Sequence, residues 1–140
     1  MSSPHVMVDP GLLMSDDPVR LAGSRCDECG TTVFPAQDGC PRCSHRPMRT
    51  VALAGTGTVW SWTVQQFQPK PPYRPSGEGW SPMALGYVDL GDVIVEGWLL
   101  PADRAWSIGD VVRVGLAPAW TDGADVVHTF AFEHVEGGVA

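Results

Sequence analysis

The second half of the chain alternates apolar and polar residues with a period of two, which is the pattern of half-buried β-strands. The first such stretch follows Gly55 and covers residues 59–67. Because consecutive side chains of a strand point to opposite faces, this stretch has two distinct surfaces. One face carries Trp60, Trp62 and Val64, and the other carries Val59, Ser61 and Thr63.

Four further strand-like stretches follow, at residues 83–90, 93–100, 111–116 and 126–135. Gly91-Asp92 predicts a hairpin turn between the first two of them. Residues beyond the cysteine-containing region show no amphipathic helix pattern, although one helical turn fits after Pro101. Five antiparallel strands with glycines at the corners predict a mainly β fold, most simply a small closed barrel of the OB type.

Two segments lie outside this strand pattern. Residues 68–82 contain five prolines and two glycines, and we expect a long loop of the kind that is functional or disordered in a compact domain. Residues 1–20 are predicted to be a mobile N-terminal arm. Near its end, Ser15 or Asp16 is expected to cap a short helical turn that stops at Gly23, just before the first cysteine pair.

All four cysteines lie in two C-x-x-C pairs, Cys26-Asp27-Glu28-Cys29 and Cys40-Pro41-Arg42-Cys43. Each pair presents two sulfurs to one point, and two facing pairs make a tetrahedral four-sulfur site that suits Zn2+ or iron. Disulfides are the alternative, but the N-terminal residues lack the pattern of a secretion signal. A redox-active dithiol needs one pair and not two, so the spacing favours a metal.

Zinc is favoured over iron because a rubredoxin iron site forms a whole small protein, whereas these pairs occupy a fragment of a longer chain. Four thiolates leave no open position for a substrate water, so the predicted zinc is structural. Phe34, between the pairs, is predicted to cover the metal site. The predicted organisation is an arm over residues 1–20, a rubredoxin-like zinc ribbon over 21–50 and a five-stranded OB-fold domain over 51–140.

Charge is unevenly distributed along a chain whose net charge is −7. From Val51 onward there are four basic and ten acidic residues, a net of −6, which disfavours binding to a nucleic acid. Five arginines lie near the cysteine pairs and either offset the charge of a zinc–thiolate centre or form a phosphate site. They are Arg20, Arg25, Arg42, Arg46 and Arg49.

The chain has no apolar run of the roughly 20 residues that a membrane-spanning helix needs. We therefore expect no membrane association. The N-terminal residues lack the basic and apolar regions of a secretion signal, so we expect a cytoplasmic location. At 140 residues the chain suits a small metal module joined to one compact domain. A module as short as the ribbon cannot bury a large core and depends on its metal for folding.

The joint order of six motifs carries a resemblance to a known family. The motifs are Arg25-Cys26-x-x-Cys29-Gly30, Phe34-Pro35, Cys40-Pro41-x-Cys43, Gly57-Thr58-Val59-x-Ser61-x-Thr63-Val64, Gly86-Tyr87-Val88-Asp89-Leu90 and Ile108-Gly109-Asp110-x-Val112-x-Val114. This order resembles the zinc-ribbon plus OB-fold proteins associated with acyl-CoA, the domain-of-unknown-function thirty-five family. The resemblance covers residues 20–136.

The resemblance implies a non-catalytic accessory subunit in a hetero-oligomer. Its partner would be a thiolase, a lipid-transfer-protein-type thiolase or aldolase, or a hydratase of the same pathways, acting in degradation of a CoA-activated acid. The barrel would offer a surface for the acyl-CoA, and the ribbon would help to dock the partner. Family members often carry a longer helical segment before the first cysteine pair; here residues 4–18 are short and broken, which leaves a role in partner binding alone open.

Thiolase chemistry needs a reactive cysteine nucleophile, and all four cysteines are assigned to the metal, so no catalytic residue is predicted. Candidate CoA-binding residues lie in or beside the long loop, where cations can meet phosphates and aromatic rings can stack on adenine: Phe67, Lys70, Tyr73, Arg74 and Trp80. A partner-docking or disordered loop is the alternative. Phe34, Trp60 and Trp62 are candidate partner-interface residues, with barrel core as the alternative for the two tryptophans.

Two other classes of function stay open from the residues alone. Zinc ribbons and OB folds both occur in nucleic-acid-binding proteins, although the acidic barrel argues against this class. A rubredoxin-like electron carrier would contain iron in place of zinc. His128 and His134 lie on the last predicted strand and are expected to be surface or edge residues and not catalytic ones.

Overall fold

The computed structural model describes residues 6–7, 9–16, 18–66, 82–122 and 124–136. The regular secondary structure of this part of the chain is almost entirely β-strand, which confirms the mainly β fold class. Its helical element is a 3-10 turn at Pro10–Leu12, and within the described residues no helix could cross a membrane. The strands are β1 Val6–Met7, β2 Leu13–Asp16, β3 Val19–Arg25, β4 Thr32–Val33, β5 Arg49–Ala52, β6 Thr56–Gln65, β7 Met83–Asp89, β8 Ile94–Leu100, β9 Val111–Asp122 and β10 Asp125–His134.

Strands β6 to β10 close into the five-stranded barrel of an OB fold. The order around the barrel is β9, β6, β7, β8, β10 and back to β9. Neighbouring strands are antiparallel except for β8 and β10, which run parallel. The prediction of wholly antiparallel strands is therefore wrong at this pair. An odd number of strands cannot close a ring with every neighbour antiparallel, so one parallel pair is unavoidable.

The barrel strands begin and end close to their predicted positions, with one clear difference. Strand β9 continues to Asp122, six residues beyond the predicted end at Leu116. It passes through Pro118, which lies opposite His128 where the register with β10 shifts. A bulge of this kind lets a strand accommodate a proline, which has no N–H to donate to the ladder.

A second sheet contains the ribbon strands, with β3 in its centre. Strand β2 pairs with the first part of β3, and β4 and β5 both pair with its later part. The predicted helical turn after Ser15 is wrong, because this region is a strand pair in which the Ser15 hydroxyl donates to the Pro18 carbonyl at 2.6 Å. The mobility of residues 1–20 and the domain boundaries stay predictions.

Gly23 lies inside β3 and does not end a helix. A Cβ at this position would come within 2.7 Å of the Leu53 side chain and 2.8 Å of the Val33 carbonyl oxygen. Glycine is needed here because two chain segments pack directly against the strand backbone.

One hydrophobic core joins the two sheets. Leu21 of β3 and Leu53, which follows β5, are buried in the same cluster as Val59, Leu99 and Phe132 of the barrel. Half-buried side chains of the ribbon sheet pack against this cluster as well, namely Leu13, Val19, Phe34 and Val51. The ribbon sheet therefore forms part of the wall of the barrel core, and the position of the ribbon relative to the barrel is set by shared packing.

We predict that Gly57→Ala lowers the free energy of unfolding by about 2 kcal/mol, the usual scale of overpacking. The added Cβ would press on the Asp89 backbone carbonyl oxygen and lie 2.8 Å from the Leu90 side chain. Gly115→Ala is a matched control, since its Cβ would meet the Glu133 carboxylate, the movable end of a flexible side chain, at 2.9 Å. Urea unfolding followed by far-UV circular dichroism measures both; equal stability of the two variants would contradict the steric argument.

Candidate metal centre and partner surface

The first cysteine pair is held by a tight backbone turn. The Cys26 N–H donates to the Thr31 carbonyl at 2.9 Å, and the Gly30 N–H donates to the Cys26 carbonyl at 2.9 Å. Gly30 has a φ of 78°, a left-handed conformation that glycine adopts without steric cost. The turn therefore brings the sulfurs of Cys26 and Cys29 to the same side of the chain.

The second pair repeats this turn 14 residues later. The Cys40 N–H donates to the His45 carbonyl at 3.0 Å, and the Ser44 N–H donates to the Cys40 carbonyl at 2.9 Å. Ser44 takes the place of Gly30 and has a φ of 68°, which is uncommon for a residue with a side chain. The predicted pair of matching turns is present, although the second turn has no glycine at the left-handed position.

The four cysteine sulfurs converge on one point and lie within 4.8 Å of one another. The Cys26 and Cys43 sulfurs are 3.5 Å apart, and the Cys29 and Cys40 sulfurs are 3.6 Å apart. A tetrahedral zinc with Zn–S bonds of about 2.3 Å requires sulfur–sulfur distances of about 3.8 Å. The residues therefore fit structural zinc bound by four thiolates, with no coordination position left for a substrate.

Hydrogen bonds from the surrounding chain stabilise negative charge on two of these sulfurs. The hydroxyl of Thr31, 3.1 Å from the Cys29 sulfur, together with the Thr31 backbone, lowers the pKa of the Cys29 thiol to about 6. Backbone hydrogen bonds from Cys43 and Arg42 lower the pKa of Cys40. Such donors to thiolate sulfurs are the outer interactions that orient and stabilise metal ligands.

Cys43 differs from Cys29 and Cys40 because the neighbouring cysteine sulfurs disfavour a negative charge on its own sulfur. A backbone hydrogen bond from His45 favours its thiolate. The nearby Cys26 sulfur, partial burial and the other two sulfurs outweigh that bond and raise the pKa of Cys43 to about 12. A divalent cation removes this competition, since it can bind all four sulfurs as thiolates.

Three of the arginines near the cysteine pairs have separate protein partners. Arg49 forms an ion pair with Asp27 at 3.3 Å, and Arg25 donates to the Thr32 hydroxyl at 3.3 Å. The guanidinium of Arg20 donates to the Val19 carbonyl at 2.8 Å. These side chains make local contacts and do not converge on one anion.

Phe34 does not cover the metal site, so that prediction is wrong. Its ring packs edge-to-face on Phe130 with centroids 5.6 Å apart, and it contacts the main core. Val33, its neighbour, packs against the cysteine cluster instead. Val33 is the last residue of β4 and Phe34 follows it, so their side chains point to opposite faces. Phe34 therefore lies between the ribbon and the barrel. Its predicted contact with a partner stays a prediction.

Trp60 and Trp62 are exposed and do not belong to the barrel core. Their exposed fractions are 57% and 39%. The register between β6 and β7 shifts at Trp60, and its ring packs edge-to-face on Tyr87 with centroids 6.5 Å apart. The period-two pattern missed this bulge, so the predicted common face of the two tryptophans and Val64 is broken. The predicted role in a partner interface stays a prediction.

The five predicted CoA-binding residues, Phe67, Lys70, Tyr73, Arg74 and Trp80, lie outside the described residues.

His134 differs from its predicted surface position. Its side chain is only 14% exposed and packs on Trp106 with ring centroids 5.9 Å apart, while its Nδ1 lies 3.6 Å from Glu136. It therefore belongs to the packing at the end of β10.

Sequence reasoning missed Ser24, the buried polar side chain that anchors the ribbon loop. Ser24 is 1% exposed, and its hydroxyl donates to the Gln37 carbonyl at 2.9 Å and accepts from the Gln37 N–H at 2.8 Å. This pair of bonds ties the segment between the cysteine pairs to β3. A serine in a sequence of small residues gives no signal of such a long-range contact.

The fold and the metal centre together define a protein in which a four-cysteine zinc ribbon is joined to an OB-fold barrel. A family model described as the ChsH2 rubredoxin-like zinc ribbon domain matches residues 19–48, and one described as the ChsH2 C-terminal OB-fold domain matches residues 50–117. The chain belongs to this ChsH2/DUF35 family. The family predicted from the order of sequence motifs is thereby confirmed.

Three relatives illustrate the family. A DUF35 domain-containing scaffold protein of Methanocaldococcus jannaschii is 37% identical over 51 residues, which are 36% of each chain. A protein of Thermomonospora curvata described as "Probable enoyl-CoA hydratase alpha subunit" is 30% identical over 97 residues, 69% of this chain and 27% of that one. The matches thus span about a third of these curated relatives. A chain of the solved structure "Ltp2-ChsH2(DUF35) aldolase" is 27% identical with a TM-score of 0.61, covering 82% of this chain and 84% of that one.

We predict that the purified protein contains one zinc ion per chain and that Cys26→Ser contains almost none. A buried thiolate ligand is lost in this variant, and a structural site is stable only when all its ligands are present. Mass spectrometry of the metal content measures both, with Glu28→Gln, an exposed change in the same turn, as the control. Iron with visible absorbance in the wild-type protein would instead indicate a rubredoxin-like centre.

We further predict that Ser24→Ala weakens the ribbon by about 1–2 kcal/mol, because both hydrogen bonds to the Gln37 backbone are lost. The zinc should then transfer faster to an excess of a coloured chelator. The exposed Ser107 supplies a control, Ser107→Ala, which should leave the transfer rate unchanged. Equal rates for Ser24→Ala and the wild-type protein would show that this contact does not stabilise the metal centre.

Proposed function

We propose that the chain is a non-catalytic accessory subunit that binds a thiolase-like enzyme and helps to hold its acyl-CoA substrate. The supporting observation is the similarity to a chain of the Ltp2-ChsH2(DUF35) aldolase, which extends over 82% of this chain and includes both the ribbon and the barrel. The reaction class would be cleavage in the degradation of a CoA-activated acid. The subunit would act in the cytoplasm as part of a hetero-oligomer.

The chemistry of the described residues supports a scaffold role. The chain has four cysteines, and all of them lie in the metal cluster, so none is left as the nucleophile of acyl transfer. A zinc bound by four thiolates supplies folding energy and cannot activate water. The catalytic groups would therefore belong to the partner enzyme.

The proposed docking surface combines the ribbon with the exposed aromatic residues of the barrel. The shared core around Leu21 and Leu53 holds the ribbon against the barrel, so both can present one rigid surface. Trp60 exposes a large apolar area, and tryptophan is enriched at the centres of protein interfaces. Phe34 and Trp62 complete the proposed set of interface residues.

CoA contact is the second part of the proposal. Lys70 and Arg74 would bind the phosphates, and Phe67, Tyr73 and Trp80 would pack on the adenine ring. The segment carries the two cations found between residues 50 and 101 in an otherwise acidic half of the chain. A CoA site elsewhere in this half would have to overcome repulsion by its net charge.

An enoyl-CoA hydratase-like partner is a second candidate. The relative from Thermomonospora curvata matches 69% of this chain and is described as the alpha subunit of a probable enoyl-CoA hydratase. Both candidate partners act on CoA thioesters, so the accessory role is the same in either case. The identity of the captured enzyme distinguishes them.

The first experiment is affinity capture of the tagged chain from its native host, with mass spectrometry of the co-purifying chains. We expect a thiolase-like or hydratase-like chain at fixed stoichiometry. We also expect Trp60→Ala to retain at least tenfold less of it, the scale of losing an aromatic anchor. Val126→Ala, an exposed apolar change on β10, should retain it fully. Capture of nucleic acid alone, released by high salt, would contradict the proposal.

A further inference from the structure

A shallow groove crosses the outer face of the barrel over strands β6, β7 and β8. It consists of two adjoining cavities of about 220 Å³ and 230 Å³ that share Leu85 and Glu96 in their walls. We name it the Glu96 groove. Its lining includes six residues of these strands, Ser61, Thr63, Leu85, Tyr87, Glu96 and Trp98, and at one end Thr129 and Phe130 of β10.

The strand register arranges these six residues as two rows of three. One row crosses the sheet through Ser61, Tyr87 and Glu96, and the next through Thr63, Leu85 and Trp98. Residues directly opposite each other on neighbouring strands share a face, so each row forms a continuous surface.

The bulge at Trp60 determines which residues form the groove. It places Ser61 opposite Tyr87, with Trp60 left out of the pairing. Without the extra residue, every later side chain of β6 would move to the other face of the sheet. The small Ser61 and Thr63 therefore line the groove, while Trp60 packs against Tyr87 at its rim.

Glu96 is an exposed carboxylate within this largely apolar and aromatic surface. Its interaction with the Tyr87 phenol, by hydrogen bonding and by charge, raises the pKa of that phenol. Among the described residues, no lysine, arginine or histidine lies within ion-pair distance of Glu96. The carboxylate thus faces solvent without a cation from the described chain.

The chemistry of the groove favours a cation that can also donate hydrogen bonds. Residues 51–140 carry a net charge of −6, which attracts cations and repels phosphate groups. A guanidinium can donate to a carboxylate and lie flat against an aromatic ring at the same time. A quaternary ammonium has no N–H to donate to Glu96, and an ammonium has no plane to stack on Tyr87.

We infer that the Glu96 groove binds an arginine side chain of a partner protein, with the guanidinium donating to Glu96 and stacking on Tyr87. Apolar residues next to that arginine would pack on Leu85 and Trp98. The groove borders Trp60, so it continues the proposed docking surface. The inference rests on the proposed accessory function in one respect, the identity of the protein that supplies the arginine.

The test is a nuclear magnetic resonance titration of the full-length zinc-loaded protein with N-acetyl-arginine methylamide. We expect saturable amide shifts confined to the groove strands, with an affinity of about millimolar as befits one side chain. The citrulline analogue, which has the same shape but no charge, should give no saturable shift. Equal binding of both compounds, or saturable shifts elsewhere on the barrel, would overturn the inference.

Two matched variants locate the charge that is responsible. Glu96→Gln should weaken arginine binding by about fivefold, the upper range for an exposed charge pair. Asp92→Asn removes the same charge from the exposed β7–β8 hairpin and should leave binding unchanged. Equal weakening by the two variants would show that net charge alone attracts the probe, which contradicts a site. Retained amide-shift dispersion verifies that both variants are folded.

Other ligands give distinct outcomes in the same titration. Saturable binding of choline with no preference for arginine would indicate an ammonium site. Saturable binding of adenosine monophosphate would indicate a nucleotide site. Either result would overturn the arginine assignment. Capture of the partner enzyme by the wild-type chain would still support the accessory function, whereas arginine binding without any captured enzyme would support the groove and contradict that function.

Discussion

The convergence of four sulfurs within 4.8 Å is the constraint on which the ribbon depends. Around it the ribbon buries only a small cluster of Cys26, Cys40 and Met48. This cluster has too little apolar surface to hold residues 26–48 in place by itself. Four thiolates at this separation also repel one another unless a cation lies between them. Zinc therefore both offsets this repulsion and supplies the folding energy that the small cluster cannot provide.

The metal matters beyond the ribbon because the two sheets share one core. Strand β3 enters the first cysteine pair and also buries Leu21 against the barrel, while β5 leaves the second pair and leads to the buried Leu53. The zinc centre thus holds together the two strands that form one wall of the barrel core. This arrangement suits a scaffold, since a partner would meet the ribbon and the barrel in a fixed relative position.

In the proposed function, the barrel would bind its partner through its outer surface. Its outer face carries exposed aromatic residues around a carboxylate, Glu96, in a half of the chain with a net charge of −6. In the proposed complex, acyl transfer would rely on the partner chain, because all four cysteines lie in the metal centre. A barrel with this surface and charge is better suited to recognising a protein than to holding a polyanion unaided.

The cysteine spacing and the period-two pattern determined the zinc ribbon, the number of barrel strands and the family, because both signals are local. Tertiary structure alone decided the rest. Ring closure with five strands forced the parallel β8–β10 pair, and the bulge at Trp60 changed which side chains share a face. The Ser24 anchor, the Phe34–Phe130 contact and the rows of the Glu96 groove join residues distant in sequence. Such contacts depend on strand register, because a shift of one residue moves every side chain of a strand to the other face of the sheet. No local sequence pattern specifies that register.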